Sequence, residues 1–418
     1  MSESVSAETQ RFGRLGGLAA LFLRLGVIGF GGPLAHVGLM EDQVVKRRQW
    51  TTHEQFLEGL AICNLLPGPT STQLSIYLGY LRAGPLGGLV SGSCFIGPAF
   101  VMVALLAFVY IQYGAIPQVG ALFAAIGPVV IAIIVNTLYR SGKTALTSIP
   151  AWVIFLAACA LTVFPLLPPA FNLLTILLLA GLAGIACFGR KKAEEQPAKS
   201  APAPAAPAAQ AEPEKKSDTS LKSVIAAPLL TLKALAGPLT PSVGLLALVG
   251  LTFFKIGLLM FGGGLVVAPL LQQELVDSQH WLTTKQLVDG LALGQLTPGP
   301  VTTVATFAGY AVAGFPGAVV ATVAVFAPSF ILVISLTPLL LRLRNSIIAR
   351  AFLKGITAGA LGAIAAAAIL FGRATIVDPF TAIIALLSLI LLLRWNLNTT
   401  YLILGAAALG LARTLFKL

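Results

Sequence analysis

Charge is scarce in this chain. Only 10% of its 418 residues are Asp, Glu, Lys or Arg, far below what a soluble domain of this size carries. Histidine is scarcer still, with three residues in all. The four cysteines, Cys63, Cys94, Cys159 and Cys187, are scattered in apolar surroundings, with no metal or disulfide spacing. These shortages argue against a catalytic cluster, a metal site or a bound cofactor. The net charge is +12, yet no basic stripe with interleaved aromatics appears, so nucleic acid is not an expected partner. The polar N-terminal segment lacks a small-residue cleavage pattern, so no cleaved leader is expected.

Apolar residues are what the chain has instead. They make up 57% of it, and the mean hydropathy is +0.91. Continuous apolar runs of about 18–25 residues recur along its length, enough to cross hydrocarbon as helices. The fold class expected is therefore an all-α polytopic membrane protein, with the lipid bilayer as its surroundings. A β-barrel would show alternation rather than continuous runs.

The composition changes abruptly at "GRKKAEEQPAKSAPAPAAPAAQAEPEKKSDTSLK", residues 189–222. Such an Ala/Pro-rich, charged stretch cannot bury a core and reads as a disordered cytoplasmic linker. It separates an N-terminal repeat, 1–188, from a C-terminal repeat, 223–418. The halves share one register. "FLRLGVIGFGGPL" from Phe22 aligns with "FFKIGLLMFGGGL" from Phe253. The same offset pairs Trp50 with Trp281 and Pro67-Gly68-Pro69 with Pro298-Gly299-Pro300. One residue is then lost, and Gly79-Tyr80 meets Gly309-Tyr310, and Pro98 meets Pro328.

Charge sets the relative orientation. The loop Gln112 to Gln118 is uncharged and the next carries Arg140 and Lys143. In the second half the first of these loops is the basic one, with Arg342, Arg344, Arg350 and Lys354. "EDQVVKRRQW" is basic where "QQELVDSQHW" is acidic. Lys and Arg favour the cytoplasmic side, so the repeats are expected to be inverted. Each half reads as about five spans of membrane length. The first of these are Leu15–Leu39 and Val243–Leu271. Termini outside and linker inside follow. A parallel twelve-span arrangement is the alternative.

Two segments, "NLLPGPTSTQ" and "GQLTPGPVTTV", break themselves inside apolar stretches. Each is expected to be a re-entrant helical hairpin, since broken backbone at membrane depth survives only against protein or water. Thr70, Ser71 and Thr72 then stand at a fresh helix N-terminus with free N–H groups, an anion-binding arrangement. Thr302 and Thr303 repeat it. Arg24 and Lys255 are aligned bases in apolar runs and read as counter-ions, or as partners of the aligned acids Glu58 and Asp289. Those acids suit an ion pair or proton coupling. Asn64 and Gln295 precede the tips and offer amide donors. Gly31, Gly32, Gly262 and Gly263 expose backbone or allow close packing. His36 faces Val267 in the alignment and reads as a helix-end residue.

"FGGP", "LPGPTSTQ" and "TPGPVTT", in paired halves, resemble the chromate ion transporter family in its long, two-domain form. The resemblance covers nearly the whole chain outside the linker and extreme N-terminus. It implies a multi-pass protein of the cytoplasmic membrane that expels chromate and confers chromate resistance. The residues themselves reach only as far as a tetrahedral oxyanion, so sulfate or another oxyanion stays open as cargo. A membrane-embedded enzyme acting on a phosphorylated lipid is a distant alternative, because it would want a clustered His, Asp or Cys constellation. A homo-oligomer stays open.

Overall fold

The computed structural model describes residues 2–113, 117–164, 169–188, 241–261, 266–343, 347–395 and 397–416. The expected linker at 189–222, and Gly262 and Gly263, lie outside them. All regular structure among the described residues is helical. In the first half the helices are α1 (Ser2–Ile28), α2 (Gly32–Glu41), α3 (His53–Leu65), α4 (Thr70–Tyr113), α5 (Pro117–Ala145), α6 (Ile149–Val163) and α7 (Pro169–Phe188). In the second they are α8 (Val243–Leu259), α9 (Val267–Leu271), α10 (Thr284–Leu296), α11 (Val304–Leu343), α12 (Ile347–Thr375), α13 (Pro379–Trp395) and α14 (Thr399–Phe416). Among the described residues, four stretches are long and apolar enough to cross a membrane: Thr70–Tyr113, Leu122–Ala145, Val301–Leu336 and Arg350–Thr375. Their outer faces present Val101, Leu105, Val109, Val323 and Ile331, as lipid contact requires.

The backbone repeats itself down to its irregularities. Thr52 and Gln55 close a capping box on α3, and the aligned Thr283 and Gln286 close one on α10. A π-helical turn follows α2 at Asp42–Arg47, and another follows α9 at Gln272–Ser278. Gln49 and His280, aligned, both adopt positive φ, at 51° and 54°. Inside α4 the chain kinks at Gly84 with φ 66°, and inside α11 at Gly314 with φ 62°. Pro85 and Pro316 follow, where a new helical segment needs no N–H donor. Identical local chemistry has produced identical local geometry twice.

The reading of Leu15–Leu39 and Val243–Leu271 as single spans is corrected. α1 ends at Ile28, Gly31 and Gly32 turn at φ 103° and 79°, and α2 starts afresh. α8 likewise stops at Leu259 before α9 begins at Val267. Consecutive glycines in the left-handed region carry no Cβ penalty, and Pro33 suits the first turn of the new helix. After this break the chain comes back to where it began. Gly13, Arg14 and Gly17 of α1 line one cavity together with Trp50 and with Arg82 at the end of the first arm of α4.

The halves interlock rather than sitting side by side. α5 packs on α13 and α14 of the second half, and α12 packs on α6 and α7 of the first. A Cβ at Gly355 of α12 would overlap the Ala180 carbonyl and the Gly184 backbone of α7, so small residues set that spacing. One hydrophobic cluster runs from Val129 and Val130 through Phe253 and Phe307 to Phe371. The second arms of α4 and α11 meet with reversed order: Gly88 faces Ile334, Gly92 faces Phe330, and the Phe100 ring lies tilted 6.2 Å from that of Phe315. These aligned segments therefore run antiparallel where they touch. At the start of α13, Asp378 accepts from the Thr381 hydroxyl and N–H and from Arg413 of α14, and these donors hold its carboxyl down at about 2.

Candidate functional site

Four helix breaks converge. The Gly68 N–H at the first Pro-Gly-Pro tip donates to the carbonyl of Met260, at the end of α8, at 2.7 Å. The Gly299 N–H at the second tip donates to the carbonyl of Gly29, at the end of α1, at 2.9 Å. Gly29 and Met260 are aligned positions, so the two bonds are the same bond made twice, each across the two halves. Both tip glycines need positive φ, 130° and 104°. A Cβ on Gly68 would strike the Ser329 hydroxyl and the Gln73 amide, and one on Gly299 would press Ala99. Ala99 and Ser329 are themselves aligned.

The first tip carries the polar density. α4 begins at Thr70, whose hydroxyl donates to the Asn64 side-chain oxygen at 3.2 Å. Ser71, Thr72 and Gln73 follow, all buried. The Gln73 amide nitrogen is held by the Pro67 carbonyl at 2.6 Å, which leaves its oxygen turned elsewhere. Eight buried side-chain polar atoms lack a hydrogen-bond partner among the described residues. Four of them, Thr72 Oγ1, Gln73 Oε1, Ser329 Oγ and His36 Nδ1, lie on the segments that form this junction. An unsatisfied buried polar atom costs about 1–3 kcal/mol, so such a concentration marks a place where a polar ligand or water belongs.

The second tip's hydroxyls are already engaged. Val301–Thr303 form a 3-10 turn before α11 begins. The Thr303 hydroxyl donates to the Pro300 carbonyl at 2.8 Å, and that of Thr302 lies 3.9 Å from the Met260 sulfur. The aligned tips are therefore chemically unequal.

The charged candidates separate as well. Lys255 pairs with Glu274 at 2.7 Å, with Glu274 buried. Asp289 accepts from the Tyr110 hydroxyl at 2.8 Å. Lys255 is thus held by Glu274 and Asp289 by Tyr110. Arg24 is exposed and Glu58 half-buried, and both make contacts of their own. Gln43, aligned with Glu274, brings no charge to the first half. Gly31 and Gly32 form the α1–α2 turn, and Gln295 is half-buried just ahead of the second tip.

Sequence reasoning undervalued three residues here. His36, buried, places Nε2 2.8 Å from the Gly29 carbonyl that also receives the Gly299 N–H, and packs edge-on to Phe95 at 5.3 Å. Ser329 and Gln73 flank the Gly68 tip. The available signal was positional: each is polar within an apolar run, and each aligns with a non-equivalent residue in the other half.

An interlocked helical membrane protein whose broken helices meet at a buried polar junction has the construction of a transporter. The comparisons agree. The chromate transporter family matches residues 17–185 and 247–411, and the chain belongs to that family. It is 35% identical over 396 residues to the "Chromate transport protein" of Cupriavidus metallidurans, covering 94% of this chain and 92% of that one. It is also 35% identical to the "Probable chromate transport protein" of Synechococcus elongatus, covering 89% and 88%. The "Chromate transport protein" of Pseudomonas aeruginosa is 31% identical over 86% of this chain and 81% of its own length. No solved structure matches the chain. The family is one of multi-pass transporters and not of enzymes.

The unequal tips make a prediction. Thr72→Val should leave the melting temperature of the solubilised protein nearly unchanged, because its hydroxyl has no protein partner to lose. Thr303→Val should lower it, since removing a turn-capping hydrogen bond costs about 0.5–1.5 kcal/mol. Differential scanning of the two variants in one detergent checks this, and a larger loss at Thr72 would contradict it.

Proposed function

We propose that this protein exports chromate across the cytoplasmic membrane, with the oxyanion held at the junction of the four breaks, and so confers chromate resistance. The observation that carries the reading is the pair of buried, unpartnered hydroxyls of Thr72, on the first turn of α4, and Ser329. They sit where the partial positive end of a helix emerges, in a low dielectric where each donor to an anion counts for more. Thr70, Ser71 and Thr72 supply hydroxyls and α4 its free N–H groups. Arg24 supplies long-range positive charge. Lys255 is paired with Glu274. Glu58 and Asp289 are the carboxyls available for proton coupling. Export agrees with the membrane potential, which drives a dianion outward with roughly 2.3 kcal/mol per charge per 100 mV. Sulfate has the same shape and charge and is the second reading, since size alone discriminates weakly.

The halves are read as inverted repeats, with 189–222 as a tether between them. Several contacts support inversion. The aligned arms of α4 and α11 cross antiparallel. Tyr110, late in α4, reaches Asp289, early in α10. Phe188, at the end of α7, lies under Lys354 near the start of α12, at 4.6 Å. In this arrangement α3 with the first arm of α4 is one re-entrant hairpin, and α10 with the first arm of α11 is its counterpart.

Two measurements test these statements. In proteoliposomes with an imposed potential, chromate flux should exceed phosphate flux. Thr70→Val with Ser71→Ala should weaken chromate affinity by roughly ten- to a hundred-fold for each lost bond to a charged ligand, at about 1.5–3 kcal/mol apiece. Unaltered affinity with protein present would remove the junction from the mechanism. For topology, single cysteines at Ser141 and Ser346 should both react with an impermeant reagent from the cytoplasm alone. Labelling of Ser346 from outside would select parallel repeats.

A further inference from the structure

A second basic feature lies away from the junction. A cavity of about 500 Å³ opens among Gly13, Arg14, Gly17, Trp50 and Arg82. Above Trp50 the Arg82 guanidinium sits 5.0 Å from the ring centroid, and that of Arg48 sits 5.1 Å from it. No carboxylate is among these lining residues. The indole holds two like charges close together through its negative faces, and an anion between them would relieve their repulsion. A guanidinium fork fits a tetrahedral oxyanion with paired N–H donors.

The feature exists once. In the aligned second half Arg14 becomes Leu245, Arg48 becomes Gln279, Arg82 becomes Val312 and Gly17 becomes Leu248, while Trp50 stays Trp281. The scaffold is thus duplicated and the charge is not. Nor is this the junction itself. Arg14 is about 20 Å from Gly29 along α1, at 1.5 Å per residue.

We propose that the Arg14–Trp50–Arg82 pocket is a capture site for the free dianionic oxyanion at one mouth of the transporter, with no equal at the other. Its cargo follows from the transport reading above, and its role is to raise the local anion concentration on the face from which the junction is loaded. Low-dielectric walls on one side and solvent on the other suit a site that binds weakly and releases inward.

The test compares right-side-out and inverted membrane vesicles carrying the full chain or its R14Q/R82Q variant. The chromate concentration for half-maximal uptake should rise about tenfold at low ionic strength in one vesicle orientation. It should stay constant in the other, and the difference should shrink toward ~1 M salt. A binding readout stands apart from transport. With Trp152, Trp281 and Trp395 changed to Phe, Trp50 emission in nanodiscs of zwitterionic lipid should respond saturably to sulfate and to chromate. R14Q/R82Q should abolish that response. A saturable response without any flux would fault the transport reading and keep the pocket. Equal effects in both vesicle orientations, or no change in either readout, would overturn the proposal. So would a Trp50 response that appears only with anionic lipid, which would make the pocket a headgroup site.

Discussion

Breaking a helix inside a membrane frees backbone groups that lipid cannot satisfy. Everything in this fold depends on how those groups are answered. Each half answers the other: the Gly68 N–H closes the end of α8, and the Gly299 N–H closes the end of α1. Neither half presents a finished surface alone, because its tip donor and its broken carbonyl both look for partners in the aligned half. The interlocking of α5 with α13 and α14, and of α12 with α6 and α7, follows the same logic at larger scale. Broken backbone and buried hydroxyls therefore occupy the same place.

Duplication supplied the frame, and divergence made its polar lining asymmetric. The kinks, π-turns and capping boxes stayed paired. The polar residues did not: His36 faces Val267, Ser329 faces Ala99, and Gln73 has no amide counterpart among the tip hydroxyls of the second half. Glu274 pairs with Lys255, and the residue aligned with Glu274 in the first half is the uncharged Gln43. The frame is symmetric and its lining is not.

Much of this was legible in sequence. The two Pro-Gly-Pro breaks, their hydroxyls and the shared register all stand in the linear text, because proline and glycine act locally. The α1–α2 break was not legible. "GFGG" in an apolar run suits helix packing as well as a turn, and only the φ values of Gly31 and Gly32 decide between them. The pairing of Lys255 with Glu274 was hidden too. It depends on the π-turn after α9, which shifts the side-chain register in a way that no spacing rule reads. Tyr110 reaching Asp289 is a contact between halves, and single-sequence patterns carry no such information.

The central claim is that the oxyanion rests where the four breaks meet. Chromium itself offers the most direct measurement: its anomalous scattering in crystals of the protein grown with chromate. The account places the chromium within about 4 Å of the Thr72 and Ser329 hydroxyls, at hydrogen-bonding range through its oxygens. A chromium peak bound elsewhere in the chain, with the first turn of α4 left untouched, would contradict it.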